Sequence, residues 1–246
     1  MLRRIQETDS PHLLFAEVAD DFLRIVLYFP CTVCAPLEGT SVANRFALSA
    51  NRGNIAGTHR NRILLSAVYD LPVGQNRKFL SHTNRISDLA LSLWSVSTVR
   101  LWQTGPYLTP TTSSSFDPGN LNLSYRGSLQ RPDCIGNGNI ANPATASMFN
   151  MAAFNAIPAG PVGNCGVAIL EGPGTATIAA GLSKTFHLTE RMRMRFESTF
   201  TNLFNHPNFA PPPTNVTSSS FGIVQSVQSA ENSGNRTGQV SLRLDF

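Results

Sequence analysis

The sequence predicts an all-β chain of antiparallel strands, several of them long enough to cross a bilayer. Three observations predict it. In Arg191-Met-Arg-Met-Arg-Phe-Glu-Ser-Thr-Phe200, apolar Met192, Met194, Phe196 and Phe200 alternate with Arg191, Arg193, Arg195, Glu197 and Thr199. In Gln239-Val-Ser-Leu-Arg-Leu-Asp-Phe246, Val240, Leu242, Leu244 and Phe246 alternate with Gln239, Ser241, Arg243 and Asp245. A period of two gives each set its own face of a strand. The third observation is composition. Only 14% of residues are charged while 18 are Gly and 16 are Pro, which suits strands joined by polar turns and not a charged disordered chain.

Residues 1–43 form a divergent N-terminal segment. Within it, residues 13–27 read as a short amphipathic helix or a poorly specified strand stopped by Pro30. No secretory leader pattern is visible, because Glu7, Asp9 and His12 interrupt what would be its apolar run. Residues 22–36 are too short and broken for a spanning helix. From Asn44 onward the chain alternates strands with turns.

The first of these strands is 62–70, with Ile63, Leu65, Ala67 and Tyr69 on one face. Pro72 and Gly74 break the chain after it. The second is 86–102, where Leu89, Leu91 and Leu93 alternate with smaller or polar residues and Trp94, Trp102 and Tyr107 fall towards the ends. Aromatics there suit a membrane–water girdle, or core filling in a soluble barrel. Residues 103–174 are one long irregular segment rich in Pro, Gly and Asn. It either lies over or inside a wide barrel or hides short strands such as 121–129. Further strands follow at 175–187, 191–203, 221–229 and 237–246, giving roughly six to seven in all.

Chemistry is hard to find. Cys31-Thr-Val-Cys34 has redox or zinc spacing but no second ligand pair near it. Cys134 and Cys165, within that segment, flank a Gly/Asn/Pro-rich stretch and are either a loop disulfide or free thiols. His12, His59, His82, His187 and His206 show no metal spacing, and no nucleophile elbow, phosphate loop or dinucleotide fingerprint occurs. The expectation is no enzyme, no cofactor and no metal. The arginines are spread along strands, which is not a nucleic-acid footprint. On the strands, Arg191, Arg193, Arg195 and Glu197 share a face, and Arg243 and Asp245 lie on a neighbouring strand. They are either a solvated charge ladder or the polar lining of a lumen. In a membrane barrel they must point inward, since an outward Arg near the midplane costs ~2–4 kcal/mol.

A family resemblance rests on motifs in order: Asn51-Arg-Gly-Asn54, Arg60-Asn-Arg62, Val68-Tyr-Asp-Leu-Pro-Val-Gly74, Leu101-Trp-Gln-Thr-Gly-Pro-Tyr-Leu-Thr-Pro110 and Phe149-Asn-Met-Ala-Ala-Phe154. Gly163-Asn164, Gly172-Pro-Gly174, Leu182-Ser-Lys-Thr-Phe186, Leu188-Thr-Glu-Arg191 and Asn202-Leu-Phe-Asn-His-Pro-Asn-Phe209 follow. Over residues 44–246 the chain resembles the C-terminal barrel portion of TonB-dependent outer-membrane receptors of the Oar-like type, which carry a carboxypeptidase-regulatory-like domain. The resemblance implies a transport receptor in the cell outer membrane, of which this is the last third of the barrel. It implies as partners the outer-membrane lipid, the barrel-assembly machinery, the N-terminal barrel and plug of the same receptor, and TonB through that plug. It makes Phe246 the barrel-assembly signal. It also puts Phe246 and the Asn202-Leu-Phe motif at the periplasmic side and, counting strands back, residues 188–190 outside and the long 103–174 segment on the periplasmic side. The alternatives are a small self-contained outer-membrane barrel or porin, and a soluble extracellular β-sandwich binding module.

Overall fold

A computed structural model describes residues 4–7, 14–19, 23–29, 53–73, 78–79, 89–113, 115, 130–156, 162–189, 192–229 and 234–246, the first three stretches as backbone only. Eight strands form one antiparallel sheet in simple up-and-down order. They are β1 (Arg4–Glu7), β2 (Leu14–Ala19), β3 (Leu23–Phe29), β4 (Arg62–Asp70), β5 (Trp94–Gln103), β12 (Thr175–His187), β13 (Arg193–Thr201) and β14 (Thr237–Asp245). Between β5 and β12 lie six short strands: β6 (Tyr107–Leu108), β7 (Asp133–Cys134), β8 (Asn139–Ala144), β9 (Ser147–Phe149), β10 (Phe154–Asn155) and β11 (Leu170–Glu171). They pair β6 with β11, β7 with β10 and β8 with β9.

The N-terminal segment, read as a helix or weak strand at 13–27, contributes β2 and β3, and β3 pairs directly with β4. β4 and β12 have the bounds the alternation predicts. β5 starts later than expected. Residues 89–91 make a helical turn and Leu93 takes φ 59°, so the strand begins only at Trp94. Three alternating leucines satisfy the strand pattern without being a strand, because a turn of helix exposes them equally well. The possible strand at 121–129 lies outside the described residues.

Register separates the faces. Ile63 pairs with Trp102, Trp102 with Ala176, and Leu65 and Ile178 both flank Arg100. Leu182, Phe186, Met194, Phe196, Phe200, Val240, Leu242 and Leu244 continue the same face across β12, β13 and β14. The opposite face carries Ser95, Ser97, Thr175, Thr177, Ser183, Thr185, Arg193, Arg195, Glu197, Thr199, Gln239, Ser241, Arg243 and Asp245. On β4 and β5 it also holds Leu64, Val68, Val99 and Leu101.

Among the described residues most of the apolar face has no protein cover, the 89–92 turn over Lys184 excepted. Ile63, Tyr69, Val96, Trp102, Leu182 and Phe200 are all exposed, and Val240 and Leu242 are 64% and 66% exposed. The buried core lies elsewhere, in a cap built from the two long connections 104–174 and 202–236. Met148, Phe149, Ala153, Phe154, Cys165, Leu170, Val216 and Phe221 form it. Phe221 packs its ring against Phe149 and Phe154, with centroids 5.8 and 5.7 Å away. The two connections are interlaced by Met148 N–H to Gly222 O, Val224 N–H to Thr145 O and Thr111 N–H to Thr214 O.

This packing corrects one of the expected strands. The expected strand at 221–229 is not in the sheet. Its hydrophobic alternation instead sends Phe221 into the cap. With that strand removed, Asp245 pairs with Arg193, so Phe246 leaves the sheet at the same end as the 188–192 turn. Gln103 and Thr175 mark the opposite end, from which the cap rises. The Asn202 motif is at that cap end also. The expectation that placed 188–190 opposite Phe246, and the motif and 103–174 on its side, is thereby overturned. The 188–192 turn, the 71–93 connection and Phe246 now share one end of the sheet, and the longer connections 104–174 and 202–236 occupy the other.

Candidate functional site: a polar sheet face and a pinned cap

The charged residues singled out from sequence come together as far as they are described. Arg193, Arg195 and Glu197 on β13 share a face with Arg243 and Asp245 on β14, and Arg191 lies outside the described residues. Arg195 Nε donates to Glu197 at 2.7 Å, and Arg243 Nε to Asp245 at 2.8 Å. Both pairs run along one strand and are about half exposed, so each contributes only ~0.2–1 kcal/mol. Arg195 and Arg243 are direct cross-strand partners. Two like charges there repel, and each is offset by its own carboxylate neighbour. The result is a wet, polar, near-neutral wall near the Phe246 end. Phe246 itself is 97% exposed.

The cap is held by groups that sequence motifs supply. Cys134 and Cys165 form a disulfide, with Cα atoms 4.9 Å apart. Asn164 reinforces it, accepting from Cys134 N–H at 2.7 Å and donating its own N–H to Asp133 at 2.8 Å. Arg131 is buried and donates to Cys165 O at 2.7 Å. Burial holds its pKa below the ordinary arginine value. Cys31 and Cys34 lie outside the described residues.

At the junction of cap and sheet, Gly105 and Gly172 touch backbone to backbone. A Cβ on Gly105 would stand 1.7 Å from Gly172 O, so only glycine fits. Gly172 N–H donates to Pro106 O, bringing the two Gly-Pro motifs together. Gly53 bridges to Val167, and Asn54 donates to Ala168 O at 3.1 Å. The Asn202-Leu-Phe-Asn motif is a turn with two left-handed asparagines, Asn202 (φ 51°) and Asn205 (φ 53°). Buried Asn202 exchanges bonds with His206 N–H and O. Asn208 accepts from Ala176 N–H and so anchors the cap to the start of β12.

Beside this junction lies a cavity of about 440 Å³ lined by Arg60, Trp102, Gln103, Ile140, Met148 and Glu171 among others. Arg60 donates to Glu171 at 2.8 Å and to the Tyr107 hydroxyl at 3.2 Å. The Tyr107 bond and then the Glu171 charge raise the Arg60 pKa above its ordinary value. Sequence reading did not single out this pair. Its partners are more than a hundred residues apart, and only the meeting of β6 with β11 joins them. Among the described residues no cluster of His, Cys, Asp and Glu could hold a metal.

The family model for an outer membrane beta barrel domain matches residues 34–239. The chain belongs to that family, and it is a protein of the outer membrane. No curated protein and no solved structure matches it. The family accounts for the uncovered apolar face. No helix among the described residues is long and apolar enough to cross a membrane. The β12, β13 and β14 strands, at 13, 9 and 9 residues, meet the ~9–11 residues a tilted spanning strand needs. Barrels of that family turn an apolar strand face to lipid and a polar one inward, which matches the two faces of these strands.

Proposed function

We propose that the chain is a C-terminal wall segment of a TonB-dependent receptor that takes up a large solute, and that it has no enzymatic chemistry of its own. The observation that carries this reading is the open sheet beneath a large structured cap. Among the described residues β14 and β1 pair with nothing on their outer edges. Unpaired strand edges are not tolerated in hydrocarbon, so further strands must complete the wall. The ordered motif resemblance over residues 44–246 names the kind of receptor. In that receptor Arg193, Arg195, Glu197, Arg243 and Asp245 line the lumen, and the remaining barrel, the plug and, through the plug, TonB are the partners. A second reading has one observation in its favour: eight strands is the smallest number that closes an outer-membrane barrel.

An antibody raised against the 104–174 cap separates the two readings. On blots of outer membranes from the native cell, the receptor reading expects a band several times heavier than the 26.6 kDa of this chain. A band at 26.6 kDa whose mobility changes on boiling would instead establish a self-contained barrel.

A further inference from the structure

Two cations stand on the apolar, lipid-facing side of the described sheet, Lys184 and Arg100, and the protein treats them differently. Lys184 is 2% exposed. Its Nζ donates to Ala90 O at 2.6 Å and Ser92 O at 3.0 Å, between the rings of Trp94 and Phe186. The chain satisfies that charge itself. Arg100 is exposed, and its cross-strand neighbours are Leu65 and Ile178. On its own strand it sits between Thr98 and Trp102 on that face, so no carboxylate faces it across or along the sheet.

Position tells what could. Arg100 comes just before the Leu101–Gln103 end of β5, about 10 Å along the strand from the cap at ~3.3 Å per residue. A snorkelling guanidinium covers much of that distance. Its charge therefore reaches the headgroup level of the leaflet beneath the cap. Directly above, Trp102 is 42% exposed and forms one wall of the 440 Å³ cavity. The Arg60–Glu171 pair in that cavity is neutral overall but offers donors and a carboxylate. Gln103 adds an amide. Hydroxyl-rich rings suit such a lining, with an apolar ring face against the indole.

We propose that Arg100, Trp102 and the Arg60–Glu171 cavity form a binding site for a phosphorylated glycolipid of the cap-side leaflet. The phosphate sits on the Arg100 guanidinium, whose fork matches its oxygens. The sugar enters the cavity over Trp102. The acyl chains run down the sheet past Leu65 and Ile178. The site needs only the outer-membrane placement of the chain and is independent of any uptake activity.

Subtracting the emission of a Trp102→Phe variant from that of the parent isolates the signal of Trp102, whatever other tryptophans the extracted protein carries. The full chain, extracted from outer membranes, is reconstituted in phosphatidylcholine vesicles containing rising fractions of a diphosphorylated, acylated glucosamine disaccharide. The expected result is a saturable shift in Trp102 emission. Arg100→Gln raises the half-saturating fraction about tenfold, the effect of losing one charge-assisted contact of ~1.4 kcal/mol. Arg62→Gln, at the same rim but on the opposite face, leaves it unchanged. Far-ultraviolet circular dichroism establishes that each variant is folded, and native mass spectrometry counts the glycolipid retained by each. An unshifted Arg100→Gln curve, an equal loss with Arg62→Gln, the same response to phosphatidylglycerol, or no saturable response overturns the site.

Discussion

A lysine on a lipid-facing strand shows how a single residue can reverse the meaning of a pattern. Ala176, Ile178, Ala180, Leu182 and Phe186 mark one face of β12 as apolar, and Lys184 shares it. A charge left there in hydrocarbon would be costly. It is tolerated because the helical turn at residues 89–91 delivers the Ala90 carbonyl, and Ser92 adds a second. Hydrogen bonds to a charged group contribute ~1.5–3 kcal/mol each relative to leaving them unmade, and the two rings add ~0.5–2 kcal/mol. Lys184→Ala is expected to destabilise the folded chain by roughly 2 kcal/mol, since desolvation offsets part of that gain. Lys184→Met, which fills the space without a charge to satisfy, is expected to lose less. Urea unfolding in vesicles measures both, and an alanine variant as stable as the parent would show that the clamp is incidental.

At the scale of elements, alternation was legible wherever a strand has one face in lipid and one in water. β4 and β12 could be read to the residue from sequence, and β13 and β14 to within two. It misled where another environment imposes the same spacing. Leu89, Leu91 and Leu93 belong to a helical turn and its exit, and Phe221 is spaced like a strand residue but is buried against Phe149 and Phe154. The cap was legible only as a series of glycines, prolines and asparagines. Its contacts join residues far apart in the chain, as in the disulfide, which spans a separation of 31. Closing a loop of that size stabilises by ~3–4 kcal/mol in the chain-entropy account. Reduction is therefore expected to loosen the cap while leaving the β12–β14 strands in place. Limited proteolysis of reconstituted protein with and without dithiothreitol checks this. Cuts within 104–174 should appear on reduction and strand fragments should stay protected, whereas unchanged cleavage would mean that the buried Phe cluster holds the cap alone.

The whole molecule has two ends of different character, and this asymmetry orients it. The 188–192 turn, the 71–93 connection and Phe246 share one end; the cap, built from the longer connections 104–174 and 202–236, occupies the other. Outer-membrane barrels keep their turns short on the periplasmic side and their loops long outside, and we infer from the longer cap-side connections that Phe246 lies at the periplasmic end and the disulfide outside; both sides are oxidising enough to keep it formed. β14 is exposed along its entire length, with Val240, Leu242 and Leu244 presenting a regular apolar row that ends in a nearly bare aromatic ring. An exposed edge of this kind is a template for pairing with another strand. We infer that Phe246 and this edge are what the assembly machinery engages before the wall is completed. Removing Phe246 leaves every described contact of the sheet and cap intact. Its deletion is therefore expected to lower the amount of the protein inserted in the outer membrane severalfold, without changing the unfolding midpoint of the fraction that does insert. Membrane fractionation followed by urea titration reads the two quantities separately. Insertion at the parental level would remove Phe246 from assembly, and a lowered midpoint would assign the residue to folding stability instead.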